Sequence, residues 1–207
     1  MKTQTKETQN NYTPLSALSE LKGGNERYVN NSMVVRNLPE QVKQTGDGQF
    51  PFAVVLSCID SRVCAELIFD QGVGDIFSAR VAGNFVNPDI LGSMEFACKL
   101  AGSKLIVVLG HTKCGAIKGA CDDAQLGNLT GLLGKLKPAV ESVSEPKENR
   151  NSGNLAFVDN VSKANVELTI QNIKNQSSVL AEMLKNNEID IVGGMYDVDT
   201  GKVNFYN

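Results

Sequence analysis

The hydrophobic pattern of the chain predicts strands that alternate with helices. Residues 51–57 (PFAVVLS) and 103–110 (SKLIVVLG) are apolar runs with almost no polar alternation. Such runs are typical of parallel strands that are covered on both faces. Residues 75–83 (DIFSARVAG) predict a further strand between them, and the segment IDIVGGMYDVDTGKVNFYN predicts two final strands joined by a turn at Asp199-Thr200-Gly201.

The first predicted helix has clear boundary signals. Thr13 is a typical N-cap and Pro14 a typical first helical residue, and Gly23-Gly24 predicts the end of this helix after about Lys22. Residues 37–50 and 144–154 are polar and predict irregular connections. The other predicted helices cover residues 63–70, 87–102, 114–124, 128–143 and 155–186.

This order of elements predicts an α/β fold. We expect an open, mostly parallel sheet flanked by helices, with a C-terminal antiparallel hairpin at its edge. With 207 residues, of which 42% are hydrophobic and 21% charged, the chain suits one globular domain. We predict a polar N-terminal arm over residues 1–13 and a single α/β domain over residues 14–207.

Net charge and hydropathy exclude two classes of partner. A net charge of −3 gives no basic face for nucleic acid, and no apolar run approaches the ~18 residues of a membrane span. The start, MKTQTKETQNNYT, lacks the apolar segment of a signal peptide, so we expect a cytoplasmic protein. The alternative is a periplasmic or secreted protein whose polar N-terminus is a processed end.

A soft set of potential metal ligands follows the predicted strands. Cys58 lies just past the first strand, and His111 and Cys114 lie just past the third, in LGHTKCG. Because the carboxyl ends of parallel strands share one edge, these side chains are expected to face one point. Two sulfurs and one imidazole suit zinc and leave a fourth position open, as in catalytic sites. The alternative is that both cysteines are buried apolar residues and that His111 caps a turn.

An acid and a base accompany the first of these cysteines. Asp60 and Arg62 are two residues apart, so both point to one side of an extended segment. A guanidinium binds a carboxylate through two parallel hydrogen bonds. That arrangement leaves an oxygen of Asp60 free to accept a proton from a metal-bound water.

These motifs resemble the beta class of carbonic anhydrases, which carries Cys-x-Asp-Ser-Arg and His-x-x-Cys. Here CIDSR is followed 49 residues later by HTKC, and GDIFSARVAGN and GSMEFA are similar to the adjoining segments of the family. The resemblance implies one zinc ion per chain, held by Cys58, His111 and Cys114, with Asp60 and Arg62 as the catalytic dyad. It also implies that substrate is bound by four further residues, Gln49, Gly115, Phe77 and Phe96.

Two positions depart from the family pattern. Val81 stands where an asparagine usually follows the arginine of the second strand, and Val55 stands where some members carry a tryptophan that helps to hold inhibitory bicarbonate. Arg80 and Tyr196 lie where other parts of that bicarbonate pocket would be. Because the tryptophan is missing, we nevertheless expect the pocket to be absent or weak.

The resemblance implies the reversible hydration of carbon dioxide to bicarbonate and a proton, by a zinc-bound hydroxide that the dyad orients. The enzyme is expected to be a homodimer or a dimer-based tetramer, with no nucleic-acid or membrane partner. Two alternatives remain at this point. One is a carbon disulfide or carbonyl sulfide hydrolase on the same fold, and the other is a non-catalytic zinc or redox sensor that uses the five cysteines.

Overall fold

Five strands form one sheet at the centre of the computed structural model, which describes residues 3–206. The strand order is β2-β1-β3-β4-β5; the first four strands are parallel, and β5 pairs antiparallel with β4 at the edge. The strands are β1 (Ala53–Ser57), β2 (Ile76–Arg80), β3 (Leu105–His111), β4 (Asp190–Tyr196) and β5 (Val203–Tyr206). The predicted α/β fold and its C-terminal hairpin are confirmed.

Helices cover both faces of this sheet. They are α1 (Lys6–Asn10), α2 (Pro14–Val29), α3 (Leu38–Gln44), α4 (Ala65–Ile68), α5 (Pro88–Glu95), α6 (Gly115–Cys121), α7 (Gly127–Gly134), α8 (Lys137–Ser142), α9 (Leu155–Gln176) and α10 (Ser178–Lys185), with a π-helical segment at Phe96–Leu100 directly after α5. None of the helices within residues 3–206 is long and apolar enough to cross a membrane.

The apolar runs are buried on both faces, as their lack of alternation predicts. Every residue of β1 and β3 is buried. Val55 and Val107 pack on one face in a cluster with Leu21 of α2, whereas Val54 and Ile106 lie in a second cluster on the opposite face. This packing fixes the two central strands, and their pairing places Ser57 beside Leu109. The segments that leave β1 and β3 therefore begin at the same edge of the sheet.

The predicted end of the first helix is wrong. Thr13 caps α2 and Pro14 begins it as expected, but the helix continues through Gly23-Gly24 to Val29. A Cβ atom on Gly24 would lie 1.8 Å from the backbone oxygen of Phe69. Glycine at position 24 therefore allows α2 to approach the backbone at Phe69, the residue directly after α4. The packing of α2 outweighs the tendency of Gly23-Gly24 to end the helix.

Other helix boundaries also differ from the prediction. Part of the segment predicted as irregular forms α3, whose N-cap Asn37 accepts the backbone N–H of Glu40. The stretch 155–186 is divided at Ser177, which caps α10 and donates its hydroxyl to Glu95. The stretch 128–143 is likewise divided into α7 and α8, with Pro138 in the first turn of α8.

The N-terminal segment packs against its own chain from residue 3 onward. Gln9 is fully buried, and its side-chain amide donates to the backbone oxygens of Pro51 and Ala101, both at 2.8 Å. These two hydrogen bonds satisfy the buried side-chain amide and attach the short helix α1 to the rest of the chain. The division into an arm and a domain at residue 13 stays a prediction, and residues 1 and 2 lie outside the described part of the chain.

Candidate metal centre

Three potential metal ligands meet at the carboxyl edge of the sheet. Cys58 follows β1 directly, His111 is the last residue of β3, and Cys114 is the N-cap of α6. Their ligand atoms lie within 4.8 Å of one another, and the two sulfurs are 4.0 Å apart. Their exposed fractions are 3%, 0% and 1%, respectively. The topology thus brings together the three residues that the motifs indicated.

The ring of His111 is oriented as a metal ligand requires. Its Nδ1 lies 3.0 Å from the backbone oxygen of Thr112, and a hydrogen bond from Nδ1–H to that oxygen leaves a lone pair on Nε2. Nε2 is buried without a hydrogen-bond partner among residues 3–206. Because such a buried nitrogen is costly, and two sulfurs lie beside it, the donor set fits zinc.

The two thiols affect each other's ionisation. Their contact lowers the pKa of the Cys58 thiol, and the N–H of Gly83, 3.4 Å from its sulfur, also favours the thiolate. The pKa of Cys114 is raised, first by the contact with Cys58 and then by burial. The pair therefore favours one thiolate without a cation, whereas a bound cation would favour two.

Asp60 and Arg62 form a bidentate pair beside the three ligands. Nε of Arg62 donates to Oδ1 of Asp60 at 2.9 Å, Nη2 donates to Oδ2 at 2.8 Å, and the backbone N–H of Arg62 donates to Oδ1 at 3.0 Å. The hydrogen bond from Arg62 holds the pKa of Asp60 well below its usual range. Oδ2 also lies 4.0 Å from Nε2 of His111, so the carboxylate borders the ligand cluster.

The guanidinium of this pair is more exposed than its buried neighbours. The side chain of Arg62 is 48% exposed and that of Asp60 is 16% exposed. The pair therefore lies at the mouth of the cluster, where one side of the carboxylate faces the ligands and the guanidinium faces solvent.

Arg80 binds backbone rather than an open pocket. Its Nε donates to the backbone oxygen of Cys58 at 3.0 Å, and its Nη2 donates to that of Asp60 at 2.8 Å. Both bonds reach from the end of β2 to the segment after β1. Arg80 thus fixes the course of the segment that carries Cys58 and Asp60, a function that the sequence motifs did not reveal.

Two polar residues of α9 contact segments that carry or border the candidate ligands. Oδ1 of Asp159 accepts the backbone N–H of Lys113 at 3.0 Å, and Nδ2 of Asn165 donates to the backbone oxygen of Gly83 at 2.8 Å. The sequence analysis missed both residues. Asp159 is 46 positions from Lys113, and no local pattern in α9 marks these contacts.

The four predicted substrate-binding residues lie in different places. Gly115 is exposed and begins α6 directly after Cys114, at the ligand cluster. Gln49 is exposed and precedes the amino end of β1, whereas Cys58 follows its carboxyl end. The rings of Phe77 and Phe96 form an edge-to-face pair, 6.2 Å between centroids, in an open groove along β2 and α5. Only Gly115 adjoins the ligands within one chain, and the function of all four stays a prediction.

Comparisons with known proteins identify the family of the chain. The carbonic anhydrase family profile matches residues 53–203. Carbonic anhydrase 2 of Mycobacterium tuberculosis is 37% identical over 199 residues, covering 93% of this chain and 92% of its own length. A carbonic anhydrase of Mycolicibacterium smegmatis is 34% identical over 195 residues, covering 93% of both chains.

Solved structures give the same result for the fold. The beta-carbonic anhydrase CafA of Aspergillus fumigatus superposes with a TM-score of 0.70 at 26% identity, covering 93% of this chain and 90% of that one. One of two tetrameric beta-carbonic anhydrases from Sordaria macrospora has a TM-score of 0.71 at 22% identity, covering 93% and 96%. The chain therefore belongs to the carbonic anhydrase family, in its beta class, and is a carbonate dehydratase.

Proposed function

We propose that this carbonic anhydrase is zinc-dependent, with one zinc ion per chain held by Cys58, His111 and Cys114. The observation that carries the proposal is the buried Nε2 of His111, which has no partner among the described residues and lies in a group whose ligand atoms are all within 4.8 Å of one another. When bound, zinc supplies the Lewis acidity that makes hydroxide available near neutral pH.

Asp60 and Arg62 are proposed to orient the attacking water. Arg62 holds both carboxylate oxygens of Asp60, so the carboxylate cannot rotate freely, and Oδ2 is directed toward the ligand cluster. An ionised, oriented carboxylate can accept a hydrogen bond from water and so align an oxygen lone pair with the carbon of carbon dioxide. The backbone N–H of Gly115 has no partner within its helix and is proposed to donate to the bound substrate.

Metal analysis tests the ligand assignment. We expect one zinc ion per chain in the purified protein, and loss of most zinc and most carbon dioxide hydration in Cys114→Ser. Cys121→Ser is the matched control, since Cys121 lies on the same helix but outside the ligand group. Full zinc occupancy with unchanged affinity in Cys114→Ser would contradict the assignment.

The functional unit is proposed to be a dimer or a multiple of a dimer. Phe96 is 50% exposed in the groove that it forms with Phe77, and such an aromatic surface is suited to cover by a second copy of the chain. Gln49, Phe77 and Phe96 lie away from the ligands of their own chain. A partner subunit seated in the groove would place such residues beside the neighbouring metal site.

Light scattering tests this assembly. At micromolar concentration the mass should be at least twice the 22.3 kDa of one chain. Phe96→Arg should produce monomers with reduced hydration activity, whereas Leu126→Arg, at an exposed position near the start of α7, should leave the mass unchanged. A fully active monomeric wild type would contradict the proposal.

A further inference from the structure

Both residues between His111 and Cys114 are anchored to other parts of the chain. The backbone N–H of Thr112 donates to the backbone oxygen of Tyr196 at 2.9 Å. The hydroxyl of Thr112 accepts the backbone N–H of Val198 at 3.1 Å. Lys113 donates its backbone N–H to Asp159 at 3.0 Å. The short connection between two predicted ligands is thus fixed by β4 and by α9.

Lys113 has a backbone conformation that a lysine rarely adopts. Its φ is +58°, in the left-handed region, where the Cβ atom crowds the neighbouring carbonyl. Rotation to an ordinary negative φ would redirect the chain at the residue directly before Cys114. The sulfur of Cys114 would then no longer face Nε2 of His111, so the ligand cluster depends on this unfavourable turn.

Of the two carboxylates that bind Lys113, only that of Asp159 binds its backbone. The ammonium group of Lys113 pairs with Asp199 at 2.6 Å, but the side chains are 36% and 60% exposed, and such surface pairs contribute little. Asp159 is half-buried and accepts the N–H at the left-handed residue itself. A charged acceptor makes a stronger bond to an N–H than a neutral one does.

We propose that Asp159 is a positioning residue for the metal centre. It holds Lys113 in the left-handed turn and thereby keeps His111 and Cys114 in the arrangement that binds zinc. This inference rests on the proposed function, because it takes these residues as zinc ligands. It assigns to α9, which contributes none of the proposed ligands, an effect on metal affinity that acts through Lys113.

The test compares three single variants with the wild type in zinc affinity, measured by chelator competition. Asp159→Ala should raise the zinc dissociation constant ~10–100-fold, the usual effect of losing a group that orients a ligand. Asp159→Asn should raise it only about threefold, because its amide oxygen accepts the same N–H in a weaker, neutral bond. Asn160→Ala, at the exposed neighbouring position on α9, should leave it unchanged.

Two further measurements separate positioning from general stability. The thiolate-to-metal absorption of the cobalt-substituted protein should change in Asp159→Ala and be retained in Asp159→Asn. In the metal-free protein, the amide hydrogen of Lys113 should exchange faster in Asp159→Ala, while the unfolding midpoint stays close to that of the wild type.

The outcomes distinguish this inference from the metal site itself. If the wild type binds zinc through Cys114 and Asp159→Ala binds it equally well with the same cobalt spectrum, the positioning role is wrong and the metal site stands. Equal losses in the alanine and asparagine variants overturn the hydrogen-bond argument. If Asp159→Ala does not fold, the test depends on Asp159→Asn. An unchanged zinc dissociation constant together with an unchanged exchange rate of the Lys113 amide hydrogen in that variant would overturn the inference. A wild type without zinc at Cys114 overturns both proposals.

Discussion

The guanidinium of Arg62 binds the carboxylate of Asp60 through two parallel hydrogen bonds, of 2.9 Å and 2.8 Å. The arginine is half exposed, so the pair contributes little to folding stability. The pair instead fixes the direction of a carboxylate that borders the proposed metal ligands.

Arg62→Ala is expected to keep its zinc but to have at least about tenfold lower carbon dioxide hydration activity. A rise of ~1.4 kcal/mol in the activation free energy, caused by a less well oriented Asp60, has that effect. Losing Arg62 lets the depressed pKa of Asp60 rise toward the ordinary value of about 3.9, still below neutral pH. The carboxylate stays ionised, so the loss should be similar from pH 6 to 9. Arg62→Lys, which cannot bind both oxygens in the same way, should be intermediate. Near-normal hydration in Arg62→Ala would show that the pair has only a structural function.

Gly24 and Gly23 provide a matched test of helix packing. Gly24→Ala should lower the free energy of unfolding by ~1–3 kcal/mol, because the added carbon would overlap the backbone of Phe69. At Gly23 the nearest atom would be 3.6 Å away, so Gly23→Ala should stabilise the helix, by up to ~1 kcal/mol. Urea unfolding at fixed protein and zinc concentration measures both, and equal effects would refute the packing explanation.

Asp70 is a buried carboxylate that binds two arginines. Nε of Arg27 lies 2.5 Å from its Oδ2, and Arg36 binds Oδ1 and the backbone oxygen. Burial alone would raise the pKa of Asp70, but the hydrogen bonds from Arg27 and Arg36 outweigh it and lower the pKa. The stabilisation is therefore complete above the unfolded pKa of about 3.9 and is lost as pH falls through the lower folded pKa.

Asp70→Asn should cost about 3 kcal/mol of unfolding free energy at pH 7, since it leaves two cations near a neutral group. The difference from wild type should shrink below about pH 4, where the carboxylate of the unfolded chain begins to be protonated, and should vanish below the lower folded pKa. Asp123→Asn, which removes an exposed partner of Lys137, is the control and should have little effect. A difference that stays constant down to pH 2 would contradict the assignment.

Cys98 is expected to resist alkylation in the folded protein. Burial raises the pKa of its thiol to about 12, so almost no thiolate exists at pH 8. Mass spectrometry after iodoacetamide treatment should find Cys98 unmodified in the native protein, Cys64 modified because it is only half-buried, and both modified in urea. Equal rates for Cys98 and Cys64 in the native protein would contradict the burial.

The sequence alone predicted the strands, the candidate metal ligands and the pairing of Asp60 with Arg62. Continuous apolar runs fix β1 and β3 because a strand buried on both faces tolerates few polar residues. The ligands follow strand ends, where a short motif suffices to place chemistry at the edge of a parallel sheet. Asp60 and Arg62 could be paired from the sequence because residues two apart on an extended segment face one side.

Only the tertiary structure decided features that depend on contacts distant in sequence. The stop signal at Gly23-Gly24 is overridden because α2 must pass close to Phe69, and a propensity of ~1 kcal/mol yields to packing. Arg80 and Asp159 bind backbone from other elements, and Gln49 precedes the amino end of β1, whereas Cys58 follows its carboxyl end. Local patterns report which face of an element is apolar, but the partner of a polar side chain is set by which elements the fold brings together.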